Sequence, residues 1–177
     1  MKIWTALLLA SITWIEAHSQ DLLSFGTVWD DNLTEWLIQF DGLEGELRTR
    51  WVNDITEWEY QLSDGSTGTI RLKWADDPTQ WELRSTTGTI ISARTVWANN
   101  LLEWRLTDND RSINLRPRWN NDFNEWYAKG SSVGRIDLRT VWTNDVREWE
   151  IDDKTLNLDP HYKVAILFLS FFHSVVW

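Results

Sequence analysis

A pair of tryptophans seven residues apart recurs six times along this chain, and successive pairs are offset by 22 or 23 residues. A fixed period of this length indicates tandem repeats in which each repeat forms one supersecondary unit. The first tryptophans of the six units are Trp29, Trp51, Trp74, Trp97, Trp119 and Trp142, and the second tryptophans are Trp36, Trp58, Trp81, Trp104, Trp126 and Trp149.

Apolar and polar residues alternate on both sides of the segment that joins the two tryptophans of a unit. Ile70, Leu72 and Trp74 are every second residue before one such segment, and Trp58 and Tyr60 continue the alternation after another. A period of two is typical of half-buried strands. Each unit is therefore predicted to be a hairpin, and the chain to be an antiparallel meander of about twelve strands.

The apolar face of six tandem hairpins has to be hidden from water. A flat sheet would leave that face wet and both edges open. We therefore expect an all-β domain over residues 20–155 that is closed or strongly curled, as in a barrel. Prism-like and trefoil arrangements of the hairpins are the rival architectures.

The tryptophans are expected to form the core of this domain, because aromatic residues in strand phase are more often buried than exposed. If the two tryptophans of a unit face each other, Arg50 opposes Glu59 and Lys73 opposes Glu82 on neighbouring strands. Such pairs are favourable. The pattern thus predicts a register in which Trp faces Trp, with all twelve indoles inside.

The segments between the tryptophans carry Asn and Asp, which shape turns by accepting hydrogen bonds from nearby backbone amides. A single helical turn or a type I turn would suit their spacing, and the apolar residue that follows is expected to fold back onto the core. Because alternate turns share one end of the sheet, the carboxylates and amides also form a rim that could hydrogen-bond sugar hydroxyls or, more weakly, hold calcium. The candidate ligand-binding residues are Asp31, Asp54, Asp77, Asn100, Asp122 and Asp145.

Arginine stands three residues before the first tryptophan in five of the six units, at Arg48, Arg71, Arg94, Arg116 and Arg139. We expect a solvated ladder of these arginines with carboxylates on neighbouring strands. A basic stripe for an acidic polysaccharide is the alternative, and the glutamates on the same face argue against it.

The two ends of the chain differ from the repeats. Lys2, an apolar run and small residues before Gln20 predict a secretory signal peptide over residues 1–19. The tail, residues 156–177, includes an uncharged segment from Val164 to Trp177. This segment is expected to pack as a strand or helix over an open edge; an interfacial membrane anchor and a tail outside the fold are the alternatives.

Composition restricts the function. The chain has no cysteine and a net charge of −10, so disulfides and thiolate sites are excluded and nucleic acid is an unfavourable partner. No catalytic triad, phosphate loop or dinucleotide motif is present, although a glycosidase-like carboxylate pair stays open. We predict an extracytoplasmic, non-enzymatic binding module without a cofactor. Carbohydrate is the leading ligand, and a structural or protein-interaction role in the cell envelope is the alternative.

Overall fold

The computed structural model describes residues 20–98, 100–120 and 122–176, with side chains as far as position 173. The predicted signal peptide lies outside the described residues. Twelve strands precede one helix. The strands are β1 (Leu22–Trp29), β2 (Asn32–Phe40), β3 (Leu43–Trp51), β4 (Asp54–Leu62), β5 (Thr67–Leu72), β6 (Gln80–Ser85), β7 (Ile90–Trp97), β8 (Asn100–Thr107), β9 (Ser112–Trp119), β10 (Asp122–Gly130), β11 (Gly134–Trp142) and β12 (Asp145–Thr155), and the helix is α1 (Pro160–Val176).

The strands form a closed antiparallel barrel in which each strand pairs with its neighbours in the sequence. β12 pairs with β1 through Phe25 opposite Trp149 and the residues on either side of them, which closes the sheet. Closure removes both sheet edges and gives the apolar face an interior. The predicted meander of six hairpins and its closure are thus confirmed, and the prism-like and trefoil alternatives are wrong.

The second tryptophan of every unit points into the barrel and is at most 2 % exposed. Its indole N–H donates to the backbone carbonyl three residues earlier in all six units, for example from Trp58 to Ile55 at 2.8 Å and from Trp126 to Phe123 at 3.0 Å. The polar end of a buried indole is thereby satisfied without a side-chain partner. Because this bond is local to the hairpin, it can hold the second indole in the same orientation in each of the six units.

The predicted register is wrong by two residues. Arg48, not Arg50, lies opposite Glu59, and Arg71, not Lys73, lies opposite Glu82. The strands are joined by shorter connections than the facing-tryptophan register assumes, since Trp51 already pairs with Asp54. No helical turn forms at the described hairpin tips.

The first tryptophan of every unit lies on the outside of the barrel, so its predicted place in the core is wrong for these six residues. Their exposure ranges from 56 % for Trp51 to 65 % for Trp142. In β3 the inward alternation ends near Thr49, where the register with β4 shifts before Trp51. A bulge of this kind turns the following side chain to the other face, and Trp74 lies beyond the end of its strand.

Helix α1 fills the inside of the barrel. Asp159 accepts a hydrogen bond from the backbone N–H of His161 at 2.9 Å, and Pro160 occupies the first helical position, as is typical of a helix N-terminus. Every residue from position 161 to position 173 is buried, so this part of the helix has no solvent-facing side. The rings of Phe171 and Trp36 are tilted against each other with centroids 4.4 Å apart, and Phe168 packs edge-on against Trp81 at 4.8 Å.

The prediction that the C-terminal segment packs onto the domain is thus confirmed as far as position 173, but no open edge exists for it to cover. The segment is the centre of the core instead. A barrel of this strand number is too wide for its own side chains to fill, and the helix occupies the remaining space.

A buried ion pair fixes the start of the helix to the seam between β1 and β12. Lys163 lies 2.7 Å from Asp153, and both side chains are at most 1 % exposed. Lys163 also donates to the carbonyl of Gln20 at 2.7 Å, and the backbone N–H of Leu22 donates to Asp153 at 2.9 Å. The desolvated charges therefore have additional hydrogen-bonding partners, which a buried ion pair requires.

Candidate functional site

The exposed first tryptophans form a ring around one end of the barrel, which we call the tryptophan rim: Trp29, Trp51, Trp74, Trp97, Trp119 and Trp142. Five of them are the last residue of an odd-numbered strand, and Trp74 follows β5 by two residues. Because all odd-numbered strands run in the same direction, these strand ends lie at the same end of the barrel. The repeat thus places one large exposed aromatic ring on each of six hairpins.

Several rim indoles are held in place by a glutamate on the following strand. The indole N–H of Trp29 donates to Glu35 at 2.8 Å, and that of Trp97 donates to Glu103 at 2.9 Å. In the second unit Trp51 donates to Glu57 at 3.2 Å. The bond fixes one edge of each ring while more than half of the side chain stays open to solvent.

The predicted ligand-binding carboxylates lie close to these rings, but their oxygens take part in the turns. Oδ1 of Asp54 accepts from the backbone N–H of Thr56 at 2.8 Å and from its hydroxyl at 2.5 Å. The backbone N–H two residues later also donates to Asp77 at 2.9 Å, to Asn100 at 2.8 Å, to Asp122 at 2.9 Å and to Asp145 at 3.1 Å. These five residues therefore shape the start of an even-numbered strand.

The first unit is offset by one residue from the other five. Asn32 makes the turn bond there, to the N–H of Thr34 at 2.8 Å. Asp31, the residue predicted from the sequence, precedes this position and is exposed. Asp31 therefore corresponds to the residue before the turn acceptor in the other units.

Hydrogen bonds in three of the turns also favour the ionised form of the carboxylates of Asp54, Asp77 and Asp145. Hydrogen bonds from Thr56 and Thr79 lower the pKa of Asp54 and Asp77 below the ordinary aspartate value. The side chain of Arg147 donates to Asp145 and lowers the pKa of that carboxyl to about 2. A general acid needs a raised pKa instead, so these three carboxyls suit hydrogen-bond acceptance better than proton donation.

Apolar residues that follow the turn acceptors support the rim from inside. Leu33, Leu101, Phe123 and Val146 are partly buried and pack against the core, as predicted. Ile55 differs, because it is 43 % exposed beside Trp51. In most units the turn is therefore anchored to the core directly below the exposed ring.

Two other kinds of feature are absent from the described residues. Among the described residues, no group of three or more His, Cys, Asp or Glu side chains could hold a metal ion. No helix in the described part of the chain has the length and hydropathy of a membrane span. Comparison with models of protein families, with curated proteins and with solved structures finds no match to this chain.

The sequence gives one signal that points to the rim. Each first tryptophan is followed by a short turn that contains Asn or Asp, so it lies where a strand ends and where burial is least complete. The exposure of these tryptophans itself depends on the register shift, which cannot be predicted from any residue type in the repeat.

Proposed function

We propose that this protein is a non-enzymatic carbohydrate-binding module and that the tryptophan rim is its binding surface. The observation that carries this proposal is the repetition of an exposed, oriented indole on all six hairpins at one end of the barrel. Large aromatic rings that stay exposed next to hydrogen-bonding groups are typical of binding sites.

The chemistry of the rim suits sugars. A pyranose ring presents C–H groups that pack on an indole face and hydroxyls that need hydrogen-bond acceptors. Each exposed ring has carboxylate or amide oxygens within the same hairpin, such as Glu35 beside Trp29 and Glu103 beside Trp97. Six such positions on one rigid barrel would bind a repeating polymer more strongly than a single sugar, because the later contacts are intramolecular.

A lipid surface fits the rim less well. Carboxylates outnumber cationic side chains in the six tryptophan-to-tryptophan segments, and anionic headgroups would be repelled. The predicted membrane contact through Val164 to Trp177 would need a segment that is buried inside the barrel as far as His173. We therefore place the membrane below carbohydrate as a partner.

A protein partner is the second candidate, as part of an envelope or adhesion assembly. Val52 is 90 % exposed and Ile55 is 43 % exposed, and both lie beside Trp51. Apolar residues next to an aromatic anchor are characteristic of protein interfaces. The extracytoplasmic location of either partner is a prediction that depends on residues 1–19.

Titration with neutral oligosaccharides, followed by intrinsic tryptophan fluorescence, tests the main proposal. We expect glucan, chitin or mannan fragments to change the emission of the exposed indoles, and a Trp29→Ala/Trp51→Ala variant to bind more weakly. Leu156→Ala is the matched control, because Leu156 is 73 % exposed and lies after β12, at the opposite end of the barrel. If no fragment binds to the folded protein, or if the control loses as much affinity, the rim does not bind neutral sugars.

A further inference from the structure

The outer wall of β7–β12 carries a row of cationic side chains that the repeat does not predict. Successive strand pairs bring together Arg94 with Arg105, Arg105 with Asn114, Asn114 with Lys129, Lys129 with Arg135, and Arg135 with Lys154. We call these six residues the cationic row. Their neighbours along each strand point inward, as Trp104 and Leu106 do on either side of Arg105, so the row lies on the outside.

The row opposes like charges directly. Arg94 faces Arg105, and Arg135 faces both Lys129 and Lys154. Directly opposed like charges destabilise a strand pair. At three other places on the outer wall, cationic and anionic side chains alternate from strand to strand instead.

Three arginines of the predicted ladder show this alternation, because each lies between two glutamates. Arg48 faces Glu35 and Glu59. The two other arginines of this kind are Arg71, between Glu57 and Glu82, and Arg139, between Glu125 and Glu150. Arg94 departs from the ladder because Gln80 and Arg105 replace the two glutamates.

Few carboxylates neutralise the row. Arg135 pairs with Asp137, which also binds Arg118 at 2.7 Å, and Lys154 pairs with Asp152. In the described part of the chain Arg94, Arg105 and Lys129 make no ion pair, and the buried Nε of Arg135 has no hydrogen-bond partner. The row therefore has unused capacity to bind anionic groups.

Hydroxyl groups line one side of the row. Ser92 lies opposite Thr107, and Thr107 lies opposite Ser112. Each is one outward position further from the tryptophan rim than the residue of the cationic row on the same strand. A groove of about 410 Å³ opens beside Asn114 and Lys129. Cations next to hydroxyl and amide groups can bind acidic groups and sugar hydroxyls together.

We propose that the cationic row is a binding site for an acidic polysaccharide, whose carboxylate or sulfate groups contact successive strands. Neighbouring strands lie roughly 4.8 Å apart, so a row that crosses six strands extends over roughly 24 Å along the curved outer wall, a path that a flexible polymer can follow. Duplex nucleic acid carries one charge per about 1.7 Å, so the net charge of −10 repels it more strongly than it repels a polymer of lower charge density. A polysaccharide has more widely spaced charges and supplies hydroxyls for the adjacent serines and threonine. The site does not depend on the tryptophan rim.

Isothermal titration of the intact protein with polygalacturonate, dextran sulfate and neutral dextran tests this proposal. We expect at least one acidic polymer to bind more tightly than dextran, with an affinity that falls as salt is raised. The two acidic polymers distinguish carboxylate from sulfate recognition. Arg105→Gln/Lys129→Gln should weaken binding by about tenfold or more, since each substitution removes a charge-assisted contact.

Arg48→Gln/Arg71→Gln is the matched control, because it removes the same net charge from the alternating ladder and should change affinity little. The proposal is overturned if neither acidic polymer binds better than dextran, or if both double variants weaken binding equally. Equal affinity for duplex DNA would overturn the assignment to a polysaccharide. Thermal unfolding of both variants shows whether each is folded. Neither outcome decides whether the rim binds neutral glycans, because the rim uses different residues.

Discussion

The end of the barrel beneath the tryptophan rim contains a buried histidine whose titration should control acid stability. His173 is 6 % exposed, and its ring packs edge-on against Phe123 at 5.0 Å and Trp126 at 5.4 Å. Neither ring nitrogen has a hydrogen-bond partner among the described residues. Desolvation disfavours the imidazolium and lowers the pKa of His173 from 6.5 to about 4.

A histidine with a lowered pKa destabilises the fold as pH falls, because the unfolded chain binds the proton first. The part of the free energy of unfolding that depends on a neutral His173 is fully present above pH 6.5 and is lost progressively towards pH 4. From the two pKa values the loss is about 1.4 kcal/mol at pH 5.5 and about 3 kcal/mol at pH 4. The variant His173→Phe keeps a ring in the same space and removes this loss.

Urea unfolding followed by tryptophan fluorescence at several pH values measures the effect as the difference between wild type and His173→Phe. Subtraction removes the contribution of the carboxylates, which titrate in both proteins. Phe172→Leu serves as the control, because Phe172 also packs on the barrel wall, at Trp81, but does not titrate. The difference in free energy of unfolding between this variant and wild type should therefore not depend on pH. Parallel curves for wild type and His173→Phe between pH 6.5 and pH 4 would refute a dry environment for this ring.

Three further predictions concern the core and the rim. Lys163→Met should lower the free energy of unfolding in urea by about 3–5 kcal/mol because it leaves Asp153 buried without its counter-charge, and adding Asp153→Leu should recover much of the loss; a double variant as unstable as the single one would contradict this. Phe171→Ala should cost about 3–5 kcal/mol in the same assay through the cavity at the centre of the aromatic layer, and a cost below that of an exposed substitution would contradict a packed helix. Trp97→Phe should remove part of the emission that acrylamide quenches readily, whereas Trp104→Phe should leave the quenched fraction nearly unchanged; equal effects would contradict the assignment of one ring outside and one inside.

Periodicity was sufficient to predict the hairpins and the closed sheet, because both follow from a local pattern repeated six times. It could not predict the side-chain directions at the hairpin ends. Trp51 and Trp58 have the same residue type and similar surroundings in the sequence, yet a register shift separates them into exposed and buried positions. A shift of one residue moves the following side chains to the other face of a strand, so a single unpredicted bulge changes the predicted core.

The positions of the helix and of the cationic row could not be predicted, because both depend on contacts between residues that are far apart in the sequence. The fourteen uncharged residues from Val164 to Trp177 indicate burial, but the space that this segment fills as far as His173 exists only after twelve strands have closed. To predict that Arg94 and Lys154 belong to the same row, the register of five strand pairs must be known. The alternation of charge beside Arg48 and Arg139 does not indicate that it is broken where Arg94 faces Arg105.

The departures from the repeat are therefore more informative about function than the repeat itself. Six equivalent hairpins explain closure, the buried indole layer and the rim, and any of these could be retained for stability alone. Stability does not explain why glutamate follows the second tryptophan in three units, at Glu59, Glu82 and Glu150, whereas Arg105 stands at that position in the fourth. The change replaces a favourable cross-strand pair with a repulsive one, and a site that binds an anion across Arg94 and Arg105 supplies the missing counter-charge. An anionic ligand should accordingly raise the melting temperature of the wild type more than that of an Arg105→Glu variant, in which the ladder is restored; equal stabilisation of the two proteins would show that the cations do not form a site.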